Sequence, residues 1–87
     1  MIMSEHLANI DITAAGTVKF AIPKDGVIYG VYSNANITIG YDDNGSVGTL
    51  LTNVMVWEPC PAFMPAPISY LVITAAAPCK VSIRYGV

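Results

Sequence analysis

Cys79-Lys80-Val81-Ser82-Ile83-Arg84-Tyr85 decides the fold. Cys79, Val81, Ile83 and Tyr85 alternate without error against Lys80, Ser82 and Arg84. Alternation with period two puts one set of side chains on each face of a strand, so this segment is half-buried β-structure. Upstream, Ser69 to Ala75 reads as a second strand, joined to the first by a short turn at Ala76-Ala77-Pro78. Thr17-Val18-Lys19-Phe20-Ala21-Ile22 repeats the pattern, with Val18, Phe20 and Ile22 facing one way. Pro23-Lys24-Asp25-Gly26 after it reads as a tight turn, because Pro presets φ and Gly accepts positive φ.

Val27 to Ser33 and Ile37 to Tyr41 read as two further strands around a turn at Asn34-Ala35-Asn36. Gly30 marks a bulge or a close backbone approach. Asp42-Asp43-Asn44-Gly45-Ser46 is the most polar stretch of the chain, and its Asn-Gly pair is a strong hairpin signal. Between Val47 and Glu58 the pattern is mixed. Leu50, Leu51, Val54 and Trp57 have helix-like spacing, while Val54-Met55-Val56-Trp57 suits a strand. The reading is a strand over 54–58 after an irregular or one-turn helical stretch. Leu7 to Thr13 alternates as well. From Pro59 to Pro67, four prolines in nine residues exclude a helix or a central strand and predict an extended crossing loop.

These elements add up to an all-β chain of about seven to eight short strands, a small antiparallel β-sandwich or barrel. The 87 residues suffice for one domain. The division expected is an N-terminal arm over 1–8 and a single sandwich domain over 9–87. Ile and Val together number 19 against four Leu, a bias towards β-branched residues that favours strands.

Charge is scarce. Lys, Arg, Asp and Glu make up 11% of the chain, and the net charge is −2. About 25% charged residues is usual. High hydrophobicity excludes disorder. Four basic residues leave no electrostatic footprint for nucleic acid. The apolar run from Tyr70 to Cys79 is far short of the roughly 18 residues of a membrane helix, and Met1 to His6 lacks the marks of a signal peptide. Synthesis and folding in a cytoplasm are expected. A folded monomer of this mass exposes about 5,000 Å², and ten charges solubilise such a surface poorly. Part of it is therefore expected to be covered by a partner or by further copies. Pro59 to Cys79, 21 consecutive uncharged residues, points to Trp57–Pro67 as the covered segment.

The catalytic inventory is nearly empty, and an enzyme is not expected. His6 is the sole histidine and lies near the terminus. Asp42 and Asp43 are neighbours, which on a strand face opposite ways. The loop at 42–46 lacks the ligand spacing of a calcium loop. Cys60 and Cys79 are too few for a zinc site. They stand either as two buried or interface thiols or as a disulfide, which a cytoplasm disfavours. No cofactor or metal is expected. Tyr29, Tyr32, Tyr41, Trp57, Tyr70 and Tyr85 all fall in or beside strands, as core or interface packing or as stacking surfaces for a glycan.

Thr17 to Gly26 and the ending Tyr70-Leu71-Val72-Ile73-Thr74-Ala75 … Pro78 to Tyr85 resemble the short, charge-poor strands of small virion proteins of tailed phages. These are the capsid decoration (cement) and fibre-base proteins. The likeness is one of style over about two-thirds of the chain and carries over no functional residue. It implies a sandwich or jelly roll, a trimer, a place in the virion, and a major capsid or tail protein as lattice partner. The function expected is a non-enzymatic structural assembly protein. Contact residues are expected in the arm (Ile2, Met3, His6) and about the proline loop (Trp57, Phe63, Met64). The alternative is a small glycan- or ligand-binding module.

Overall fold

The structure is a computed structural model that describes residues 4–23, 26–43, 45–58 and 70–87. Among them are six strands: β1 (Glu5–Ile12), β2 (Gly16–Ala21), β3 (Val27–Asp43), β4 (Ser46–Trp57), β5 (Tyr70–Ala75) and β6 (Cys79–Gly86). Every pairing is antiparallel. The chain is all-β, a curled antiparallel sheet of the small sandwich or barrel kind.

The register shows how the sheet is built. Glu5 pairs with Gly86 and Ile12 with Cys79; Gly16 then pairs with Ala75 and Ala21 with Tyr70. One residue matches one residue across both ladders, and 13–15 lie opposite 76–78. β1 with β2 therefore behaves as one long strand beside β6 with β5. On their far side both β6 and β5 pair with the single strand β3. β4 closes the hairpin on β3's other edge. Four long segments thus lie side by side, each interrupted near its middle.

At those interruptions the sheet folds over itself. Phe20 on β2 and Tyr85 on β6 meet as a tilted pair with ring centroids 5.3 Å apart. Phe20 is in register with Leu71, and the path from there to Tyr85 is 14 residues, about 46 Å if extended. Only a sheet bent back on itself brings these rings together. One leaf holds β1, β6, the first half of β3 and the end of β4. The other holds β2, β5, the second half of β3 and the start of β4. Strands that change sheets at bends are the usual corners of such packings.

The core lies between the leaves. Ile12, Ile28, Val31, Cys79, Val81 and Ile83 come from one, and Ile37, Ile39, Leu71, Ile73 and Ala75 from the other. Each large aliphatic side chain buried here contributes about 1.5–3 kcal/mol. No polar or charged residue is buried among the described residues. β-branched side chains dominate the core, which accounts for the Ile and Val bias.

Several local expectations change. Asn34-Ala35-Asn36 is a corner within β3, not a reversal. Asn34 Oδ1 accepts from the Lys80 amide at 2.9 Å, and Ser33 Oγ donates to the carbonyls of Ala35 and Met55. Polar side chains hold the bend open so the strand continues. Pro23 and Gly26 do make a turn, with the Gly26 amide 2.8 Å from the Pro23 carbonyl. It joins strands that do not pair, however, since β2's partner is β5. Ala76-Ala77-Pro78 is likewise a corner. The expected seven to eight strands become six among the described residues because the stretches 27–33 and 37–41 are parts of one strand, β3. Val47–Glu58 holds no helical turn: β4 runs from Ser46 to Trp57 with shifted register. Glu5–Ala8, expected in the arm, run in β1 against β6. The hairpin expected at 42–46 forms, with Asp43 paired to Ser46 and Gly45 at φ 100°.

Candidate functional site

The outer faces of the two leaves carry the polar side-chain contacts, and the outer edge of β4 is paired with no strand among the described residues. On the first leaf an extra residue in β3, between Ile28 and Gly30, turns Tyr29 to the outside. A side chain on Gly86 would come within 2.7 Å of the Tyr29 ring, and one on Gly30 within 2.9 Å of the Tyr32 hydroxyl. Both tyrosines therefore lie flat over glycines. The Arg84 guanidinium sits 5.9 Å from the centre of the Tyr29 ring. Arg84 Nε is 3.2 Å from Glu5 Oε1, close enough to attract but off hydrogen-bonding geometry. Both groups are substantially exposed, so the pair adds little stability. Tyr32 Oη donates to Glu58 Oε1 at 2.8 Å. That bond, with some burial, raises the phenol above its ordinary pKa.

On the outer face of the second leaf, Lys19 Nζ donates to Asp42 Oδ2 at 2.7 Å and lies 5.7 Å from the Tyr70 ring centre. The hydrogen bond to Asp42 raises Lys19, and the same bond, helped by the Gly45 amide, lowers Asp42. Beside them Thr17 and Thr74 share a 3.1 Å hydrogen bond. At the crease, Thr38, Thr52, Asn53 and Thr74 help line a shallow groove of about 270 Å³. Among the described residues no group of three or more His, Cys, Asp or Glu side chains could hold a metal ion.

β4 is different in kind. It pairs with β3 alone, so among the described residues its other edge carries no strand. Val47, Met55 and Val56 are 69%, 48% and 58% exposed, three of the six exposed large hydrophobics among the described residues. No residue of the strand is ionisable. A long uncharged edge is a template for pairing with another chain, and proteins commonly guard such edges with charge. The opposite edge is guarded in this way, by Glu5 and Asp11 on β1 and Lys19 on β2.

The residues expected at contacts are only partly brought together. Ile2, Met3, Phe63, Met64 and Cys60 lie outside the described residues, and with Cys60 the Cys60–Cys79 pairing. Cys79 is buried with a free thiol. His6 stacks on Tyr85 at 5.3 Å with nearly parallel rings. Trp57 packs against the core from the end of β4, and its neighbours Met55 and Val56 face solvent instead. β6 and β3 stand between the strands of His6 and Trp57.

The sequence reading missed β4 as a surface, yet a signal was there: no charge occurs between Asp43 and Glu58. Neither a family model, nor a curated protein, nor a solved structure matches the chain.

Proposed function

We propose that this chain is a non-enzymatic structural assembly protein of the capsid decoration (cement) kind. It self-associates and attaches to a larger protein lattice in a tailed-phage virion, after synthesis in the host cytoplasm. The observation that carries the reading is the β4 edge, a 12-residue strand with no ionisable side chain and three exposed hydrophobics. Left bare, such an edge aggregates; in a built assembly it is covered. The small charge count supports the same reading, since a surface of 5247 Å² carries only ten charged side chains.

The native mass of the purified chain, by sedimentation velocity, tests the reading. Masses at multiples of 9.2 kDa support it. A monomer at every concentration counts against it.

A second reading has its own observation. Tyr29 and Tyr32 lie flat on the outer face beside Arg84, Glu5 and Glu58, an arrangement that suits stacking against a sugar ring. Glycan-array binding that disappears with Tyr32→Ala while the fold persists would favour this module instead.

A further inference from the structure

We propose that β4 is the contact between copies: its free edge pairs antiparallel with the same edge of a second molecule about a two-fold axis. This rests on the self-association proposed above and names the surface responsible.

The edge is long enough to matter. Twelve residues of strand span about 40 Å, and the backbone groups on that side have no strand partner among the described residues. It is also suited to its own copy. In an isologous contact residue i meets j and j meets i, so the strand must be complementary to its own reverse. Val47 stands second from the start of β4 and Val56 second from its end. Pairing centred between Leu51 and Thr52 sets Val47 of each copy opposite Val56 of the other.

Both valines stand on the outer side of the sheet. Val47 is in register with Asp42, whose carboxylate meets Lys19 there, and Val56 is in register with Tyr32, whose ring covers Gly30 there. The contact therefore has one outward valine pair at each end. Cross-strand apolar pairs of this kind stabilise a ladder. The absence of charge matters as much, because a charge anywhere on the strand would be brought, twice over in a symmetric contact, against the uncharged edge of the other copy with no opposite charge to meet. The β1–β2 edge, with Glu5, Asp11 and Lys19, has no such freedom.

The bend of β4 fits the axis. Asn53, at φ 60°, is the one described non-glycine residue at positive φ, and it lies beside the centre of the pairing. Each copy thus presents its crease at the axis, and the first leaf of one molecule continues into the second leaf of the other. A contact of this symmetry closes on itself as a dimer, whereas the phage resemblance implied a trimer.

The test uses the full chain and two double variants at exposed positions. Val47→Lys with Val56→Lys places like charges opposite each other at both ends, and the dimer dissociation constant should rise at least about tenfold. Val47→Lys with Val56→Glu places opposite charges there and should recover wild-type association to within about tenfold. Leu7→Lys, on the other edge, should change nothing. Circular dichroism checks that each variant folds. Hydrogen exchange of β4 amides should slow as wild-type concentration rises. Unchanged association of the double-lysine variant overturns the β4 contact while leaving self-association intact. A monomer at all concentrations overturns both. β4 protection that ignores concentration means that the chain's own residues cover the edge, and it too overturns the proposal.

Discussion

A double-mutant cycle on Phe20 and Tyr85 probes the folding-over of the sheet. The perturbation is Phe20→Leu, Tyr85→Leu and the combination, which remove the rings and keep aliphatic bulk. In the structure the rings sit 5.3 Å apart at 59°, a tilted aromatic pair. Such pairs are worth about 0.5–1.5 kcal/mol beyond area burial. If the sheet were open, the two positions would stand about 46 Å apart along β5 and β6, and the substitutions would add within about 0.3–0.5 kcal/mol. Urea unfolding followed by Trp57 emission reads the difference, since Trp57 is the sole tryptophan and packs against the core. With m of about 1–3 kcal/mol/M, a coupling near 1 kcal/mol displaces the midpoint by about 0.3–1 M from additivity. All four proteins are compared at one concentration, because association shifts apparent stability. His6 and Tyr85 serve as the control, since they are cross-strand neighbours whether or not the sheet bends. Coupling for the control pair with strict additivity for Phe20 and Tyr85 would refute the folded-over sheet.

Other expectations concern the core, the ion pair and the closest strand approach. Ile83→Ala, at a fully buried position, should cost about 2–5 kcal/mol by urea unfolding, against about 0.5 kcal/mol or less for Leu7→Ala, which is 61% exposed. Asp42 is held below its ordinary pKa, so its contribution to stability is present above the unfolded value of about 3.9 and is lost as pH falls through the folded value. Asp42→Asn should therefore flatten the acid side of the stability profile, and salt should reduce the effect. A Cβ on Gly40 would meet the Gly48 carbonyl oxygen at 2.5 Å. Gly40→Ala should thus force β3 and β4 apart, cost about 1–3 kcal/mol and speed amide exchange in β4.

Much of the core was legible in the sequence because undisturbed alternation maps directly onto burial. Cys79, Val81 and Ile83 are buried as the pattern requires, and Val18 and Phe20 pack against the same core. What hid the rest was bulges. Extra residues in β4 break its alternation, so Leu50, Val54 and Trp57 pack against the core at spacings of four and three and imitate a helix. The extra residue near Tyr29 spaces Ile28 and Val31 in the same way. Corners were hidden for another reason. Asn34-Ala35-Asn36 and Ala76-Ala77-Pro78 have turn chemistry, but whether a turn reverses the chain or merely bends it depends on the neighbouring strands. Within the uncharged run from Pro59 to Cys79, Leu71, Ile73 and Ala75 lack charge because they are core. The shorter uncharged run through β4 has three residues well exposed, Val47, Met55 and Val56, and length alone does not separate these causes.

Co-sedimentation tests most directly whether this chain is, as proposed, a building part of a larger protein lattice. The chain is expressed together with the proteins encoded beside its gene, and particles are separated on a density gradient. The chain should travel with the particles at a fixed stoichiometry, and the loaded particles should withstand heat better than bare ones. Particles that form normally while the chain stays at the top of the gradient would contradict the proposal.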